Sequence, residues 1–98
     1  MESEKGQSDA AVASLQQVVR LQPESAEARE QYGEALLKNG DAVQAAAEFR
    51  KAAEMRPDSY GAQFGLGRAL IATGEANGAV RSLEVAVRLR PSDRKSVV

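Results

Sequence analysis

Three glycines lie close together in the stretch YGAQFGLGRAL at residues 60–70, and glycine-rich loops are a common way to hold phosphate groups. Gly65 and Gly67 match the first pair of the dinucleotide pattern G-x-G-x-x-G, but Leu70 stands at the third position. No strand-like run precedes the stretch, and the Lys-Ser/Thr pair of a phosphate-binding loop is missing. The spacing therefore disfavours nucleotide binding, and the glycines need another explanation.

Glu30 and Glu34 are the pair whose spacing would suit general acid–base catalysis, because they lie one helical turn apart. Such pairs are equally common on exposed helix surfaces. The sequence has no histidine and no cysteine, so the commonest general base, thiolate metal sites and disulfides are excluded. Without a nucleophile or a metal-ligand cluster beside the carboxylates, we expect a protein that is not an enzyme and uses no cofactor or metal.

Length and charge limit the remaining classes of function. A chain of 98 residues forms one domain at most, and its 13 basic and 14 acidic residues give a net charge of −1 with no long block of either sign. Nucleic-acid binding would need a clustered basic surface, so it is not expected. No apolar run approaches the roughly 18 residues that span a bilayer. We expect a soluble protein without membrane insertion, cytoplasmic by default, with residues 1–7 as a flexible lead-in.

The chain reads as all-α. Alanine, leucine, glutamate, glutamine and arginine dominate, and all five favour helix. Apolar residues recur every three or four positions, as in Leu15, Val18 and Val19, and nothing alternates as in a strand. We predict five helices, at about 8–21, 26–38, 42–54, 60–72 and 76–89.

Proline spacing reveals an internal repeat. Pro23, Pro57 and Pro91 are 34 residues apart, which is typical of stacked repeat arrays. When residues 26–59 are laid over 60–93 without a gap, ten of the 34 positions are identical. The sequence thus predicts a half repeat at 8–25, full repeats at 26–59 and 60–93, and a tail at 94–98.

Small and apolar residues recur at fixed positions of both full repeats. They are Gly33, Ala45, Phe49, Ala52 and Pro57 in the first, and Gly67, Ala79, Leu83, Ala86 and Pro91 in the second. The pattern resembles the tetratricopeptide repeat, a 34-residue helix–turn–helix. The family's tryptophan position holds Arg29 and Gln63, and its usual tyrosine is Leu36 and Leu70. The resemblance implies antiparallel helices stacked as a right-handed superhelix, an α-solenoid, whose first helices line a concave groove.

Each recurring glycine has a physical explanation. Gly33 and Gly67 are expected where two helices approach closely, because a mid-helix glycine costs roughly 1 kcal/mol and needs a packing reason. Gly40 and Gly74 are expected in tight turns that take positive φ. Pro57 should stop the second helix, after which Asp58-Ser59 caps the next one. Gly61 and Gly65, found in the last repeat alone, are expected to let a ligand backbone come close.

The resemblance implies that the concave groove binds an extended peptide or a helix of a partner protein. The residues placed there by their position in the repeat are Glu27, Glu30, Gln31, Glu34, Leu37, Phe64, Arg68 and Ile71. The glutamates are either a solvated helix face or an acidic wall beside an apolar pocket. The second interpretation predicts a partner segment that carries Lys or Arg next to a hydrophobic anchor. Phe64 is the strongest candidate contact, since its counterpart in the preceding repeat is Glu30.

Some family members bind the C-terminal carboxylate of heat-shock chaperones through a clamp of basic residues and asparagines. The corresponding positions here are Glu30, Glu34 and Gly65. An acidic site would repel that carboxylate, so chaperone-tail binding is disfavoured.

Self-association is the alternative function. The last predicted helix carries Val80, Val85 and Val87, and Val85 stands where the preceding repeat has the charged Lys51. Two chains could stack through this helix to form a homo-oligomeric scaffold. The alternatives are that the tail folds back over the helix or that the chain belongs to a larger protein. The last three residues, Ser96-Val97-Val98, also fit the short C-terminal motif read by PDZ domains.

Overall fold

The computed structural model describes the backbone of residues 2–89 and the side chains of residues 10–89. Five α-helices account for most of this range: α1 (Glu2–Leu21), α2 (Ala26–Lys38), α3 (Ala42–Met55), α4 (Tyr60–Thr73) and α5 (Ala76–Arg88). All five predicted helices are present, and the described residues contain no strand. The predicted C-terminal tail and Pro91 lie outside the described residues.

One helix boundary differs clearly from its prediction. α1 begins at Glu2 rather than near residue 8, so residues 2–7, predicted to be a flexible lead-in, are helical. The polar composition of this segment removes the apolar periodicity on which the prediction depended, but most of its residues are compatible with a helix.

Serine caps begin the first helix of each repeat. Ser25 and Ser59 precede α2 and α4 in extended conformation, and each side chain accepts a hydrogen bond from the backbone N–H three residues later. The predicted capping role of Ser59 is therefore confirmed. The two caps stand 34 residues apart and fix the start of equivalent helices.

Glycine turns join the two helices of each repeat. Gly40 and Gly74 both have φ of +89°, a conformation that a residue with a Cβ rarely adopts. After α4, the backbone N–H of Glu75 donates to the carbonyl of Leu70 at 2.8 Å, and Asp41 repeats this bond to Leu36 after α2. Both predicted turns are confirmed.

Neighbouring helices pack on one another in chain order, and α2 also touches α4. This arrangement places the first helices of successive repeats side by side, as expected for a helical repeat solenoid. The main core is built from Phe49 and Leu36, both almost fully buried, with Tyr32, Leu66 and Leu70. A smaller cluster of Ala26, Ala52 and Ala62 lets three helices approach closely.

Phe49 of α3 is fully buried between two glycines from different helices. A Cβ on Gly33 of α2 would lie 2.8 Å from its Cε2 atom, and a Cβ on Gly65 of α4 would lie 2.6 Å from its Cδ1. In the next repeat a Cβ on Gly67 would lie 2.7 Å from Leu83 Cγ. The close-approach role of Gly33 and Gly67 is confirmed.

The two residues at the tryptophan position share one role in this chain. Arg29 Nε donates to the carbonyl of Pro23 at 3.2 Å, and Gln63 Nε2 donates to that of Pro57 at 3.4 Å. Arg29 also forms an ion pair with Glu48 of α3 at 2.8 Å, with side chains only 13% and 12% exposed. At the position where the family pattern has an aromatic ring, this chain thus has side chains that donate hydrogen bonds to the preceding turn.

Candidate functional site

The candidate groove is formed by the adjacent faces of α2 and α4. Glu30 and Glu34 lie on α2, and Phe64, Arg68 and Ile71 lie on α4. Phe64 is 37% exposed and Ile71 is 58% exposed, although both are large apolar side chains. Exposure of such residues on a face shared by two repeats marks a candidate contact surface.

Four side chains contact one another in a row, and we call this row the α4 ledge: Tyr60, Phe64 and Arg68 of α4, with Glu34 of α2. The rings of Tyr60 and Phe64 stack with centroids 5.4 Å apart and an interplanar angle of 11°. The Arg68 guanidinium carbon lies 5.7 Å from the Phe64 ring centroid. Arg68 Nη1 also contacts Glu34 Oε2 at 2.9 Å, so one acidic residue of the groove is already paired.

Glu30 is held at the start of α4. Its Oε2 atom accepts a hydrogen bond of 2.6 Å from Ser59 Oγ, the capping side chain of α4. Its other carboxylate oxygen fills the space beside Gly61, where a Cβ would lie 2.6 Å away. The carboxylate is thus placed at a helix N-terminus, which favours negative charge.

Gly61 and Gly65 do not form a cleft for a ligand backbone, and that prediction is wrong. The space beside Gly61 holds the Glu30 carboxylate, and the space beside Gly65 holds the buried ring of Phe49. No local pattern indicates that a neighbouring side chain takes this room, because Glu30 and Phe49 are 31 and 16 positions away from the respective glycines.

The other predicted groove residues are less closely associated. Glu27 and Gln31 are exposed on α2 and make no hydrogen bond or ion pair with other described side chains. Leu37 is half-buried and packs partly against the main core. The structure therefore brings together Glu34, Phe64 and Arg68, while Glu27 and Gln31 remain at the solvated side of α2.

Tyr60 and Ser59 also belong to this surface, although neither was among the predicted groove residues. Tyr60 lies four residues before Phe64, and side chains at this spacing are neighbours on a helix, so the stacked pair could have been predicted. The bond between Ser59 and Glu30 joins residues 29 positions apart and had no local signal.

The predicted self-association residues lie on α5. Val80 and Val87 are 53% and 55% exposed, whereas Val85 is half-buried and offers less surface than predicted. One repeat earlier the positions of Val80 and Val87 are taken by Ala46, which is buried, and Ala53, which packs in the alanine cluster. Positions covered by packing in α3 thus carry larger apolar side chains in α5 and are exposed there.

Two other kinds of site are absent from the part of the chain that the structure describes. No group of three or more Asp or Glu side chains within it could hold a metal ion. None of the described helices is long and apolar enough to cross a membrane.

Family models match the chain by sequence, and a solved structure matches it by fold. Two models of the tetratricopeptide repeat match residues 2–60 and 36–96. The solved structure titled "MamA MSR-1 C2" superposes with a TM-score of 0.78 at 24% identity, covering 92% of this chain and 50% of that one. The chain therefore spans half the length of this solved relative, and the likeness concerns the fold. No curated protein sequence matches it. Because the two models together cover nearly every residue, the chain belongs to the tetratricopeptide repeat family.

Proposed function

We propose that this protein is a non-catalytic interaction module whose groove between α2 and α4 binds a segment of a partner protein. Membership of a family of protein-interaction repeats supports the general function. The exposed apolar pair Phe64 and Ile71, facing an acidic helix, carries the more specific part.

The partner segment is proposed to contain a basic residue beside a hydrophobic anchor. Phe64 and Ile71 offer the apolar contact, and the carboxylates of Glu30 and Glu34 outnumber the guanidinium of Arg68 where α2 meets α4. Glu30 already occupies the N-terminus of α4 through Ser59, which leaves that end unsuitable for a partner's carboxylate. The charge balance therefore favours a cationic segment.

Peptide selection tests this proposal and does not require the partner to be identified first. A random peptide library displayed on phage is selected against the native chain, and selected peptides are measured by isothermal titration calorimetry. We expect sequences with Lys or Arg next to Leu, Ile or Phe, and at least tenfold weaker binding to Phe64→Ala, since truncating a central aromatic contact typically costs about 2 kcal/mol or more.

Val43→Ala is the matched control, because Val43 is also exposed and apolar but lies on α3, outside the groove. It should bind the selected peptides as the native chain does. Equal binding by Phe64→Ala, with circular dichroism showing unchanged helicity, would refute the groove assignment.

Self-association through α5 is a second candidate, which the exposure of Val80 and Val87 favours. In α3 the equivalent positions are covered, so a second copy that packs on α5 would bury comparable surface.

Sedimentation equilibrium over a wide concentration range tests this alternative. We expect the native chain to associate and the double variant Val80→Lys/Val87→Lys to remain monomeric, because lysine at a buried interface is costly. Val43→Lys serves as control for the added charge. A native chain that stays monomeric at the highest concentrations would rule the alternative out.

A further inference from the structure

Arg68 holds the position that best suits a cation in the groove. Its guanidinium carbon lies 5.7 Å from the Phe64 ring centroid and its Nη1 atom 2.9 Å from Glu34 Oε2. An aromatic face beside a carboxylate is a common way to bind a lysine or arginine side chain. In this chain the two halves of such a site come from different repeats, and the chain's own arginine fills it.

From this arrangement, and on the basis of the proposed function, we infer that Arg68 is an internal competitor for the partner's basic side chain. A bound Lys or Arg takes the place of the Arg68 guanidinium on Phe64 and Glu34, and Arg68 swings into solvent. Arg68 thereby limits affinity and sets the specificity of the groove for strongly cationic segments.

The contacts of Arg68 are easily exchanged. The Arg68 and Glu34 side chains are 42% and 43% exposed, and ion pairs in such settings contribute little to stability. Glu30 differs, because its carboxylate is half-buried and bonded to Ser59 Oγ at 2.6 Å. Glu34 is therefore the carboxylate with which an incoming cation can form an ion pair at low cost.

A direct contact with a partner carboxylate is the opposite role for Arg68. Its guanidinium has five N–H donors, and Glu34 is bonded to one of its nitrogens. The local charge argues against this role, since two carboxylates, those of Glu30 and Glu34, lie where α2 meets α4 beside the one guanidinium of Arg68. The two roles predict opposite effects of removing Arg68.

Four synthetic octapeptides test the inference, identical except for a central Lys-Leu, Arg-Leu, Glu-Leu or Ser-Leu between Gly and Ser residues. Their affinities for the native chain and for Arg68→Gln are measured by calorimetry. We expect Arg68→Gln to bind the Lys-Leu and Arg-Leu peptides about two- to tenfold more tightly, with Ser-Leu unchanged, since the interactions that hold Arg68 on the ledge are weak. Lys38→Gln removes the same charge from α2 without touching the α4 ledge and should give a clearly smaller change.

Two results would overturn the inference. Unchanged or weaker binding of the basic peptides by Arg68→Gln would show that Arg68 does not compete, and loss of Glu-Leu binding would show that it contacts a partner carboxylate. Phe64→Ala, measured with the same peptides, keeps the underlying proposal separate. If Phe64→Ala weakens binding but Arg68→Gln does not tighten it, the competition by Arg68 is refuted while the proposed groove stands. If no peptide distinguishes native protein from Phe64→Ala, the proposed groove fails and the inference with it.

Discussion

Adding one methyl group at Gly65 should destabilise the fold, although the residue lies within a helix. A Cβ there would lie 2.5 Å from Phe49 Cζ and closer still to Cε1, against the 3.4–4 Å of ordinary contact. The ring cannot retreat, because Gly33 packs against it at distances that leave no room for a Cβ either. Helix α4 would have to move away from α3 by about 1 Å in a close-packed core.

The magnitude follows from two opposing effects. Overpacking costs about 1–3 kcal/mol, and a Cβ only 2.5 Å from Phe49 Cζ belongs in the upper part of this range, at about 2–3 kcal/mol. Replacing a mid-helix glycine by alanine returns about 1 kcal/mol. We expect Gly65→Ala to lower the free energy of unfolding by about 1–2 kcal/mol, equivalent to a fall in Tm of about 5–15 °C for a domain of this size. Urea unfolding followed by circular dichroism measures this change.

Gly61→Ala on the same helix is the control. Its Cβ would meet the end of the flexible Glu30 side chain, which can move at the cost of its hydrogen bond to Ser59, about 1 kcal/mol. Replacing a helical glycine by alanine returns a similar amount, so stability should change by less than about 0.5 kcal/mol. In a double-mutant cycle, Phe49→Leu should remove most of the cost of Gly65→Ala, with an interaction energy of about 1–2 kcal/mol. A Gly65→Ala chain as stable as the native one would refute the proposed packing of Phe49 between two glycines.

Three further predictions test other parts of the structure. Gly67→Leu should prevent folding, because Leu83 leaves no room even for a Cβ; loss of the helical circular dichroism signal measures this, and a native-like spectrum would contradict it. Glu48→Leu should lower the free energy of unfolding by about 2–4 kcal/mol, because it leaves the largely buried Arg29 without its ion-pair partner. The double variant Arg29→Met/Glu48→Leu should be nearly neutral in urea unfolding, and equal costs for the two variants would show that the pair is unimportant. Burial, and secondarily Glu48, raises the pKa of Tyr32 above its ordinary 10.0. Above pH 10 the Tyr32 hydroxyl therefore loses its proton more readily in the unfolded chain than in the folded one, so the stability that is fully present below pH 10 falls as the pH rises. Tyr32→Phe should flatten this fall, and an unchanged slope of stability against pH would refute the assignment.

The repeat architecture could be predicted because its signals are local and repeated. Proline spacing, glycine turns with φ of +89° and serine caps each depend on a few neighbouring residues, and each recurs after 34 positions. The small residues at helix contacts follow the same period. Two copies of every signal made the helix positions accurate except at the start of α1, where the apolar pattern is missing.

The details of the groove could not be predicted to the same extent. Repeat position correctly placed Phe64 and Ile71 on the surface, because that depends on helix geometry. It did not reveal that Arg68 pairs with Glu34 or that Ser59 holds Glu30, since these contacts join different repeats through side-chain rotamers.

Gly65 shows the same limit within the core. In the repeat register it corresponds to Gln31, so it looked like a feature of the surface. Its role depends on the size of Phe49 in the preceding repeat, where the chain elsewhere has the smaller Leu15 or Leu83. A glycine outside the repeat consensus can thus compensate for a large side chain in a neighbouring helix.

The most direct test of the proposed groove is a titration of isotope-labelled protein with a library-selected peptide, followed by amide chemical shifts. We predict that the largest changes cluster on the facing surfaces of α2 and α4, around Glu34, Phe64, Arg68 and Ile71, and that Phe64→Ala abolishes them. Changes centred instead on Val80 and Val87 of α5, or spread evenly over the five helices, would contradict the groove as the binding site.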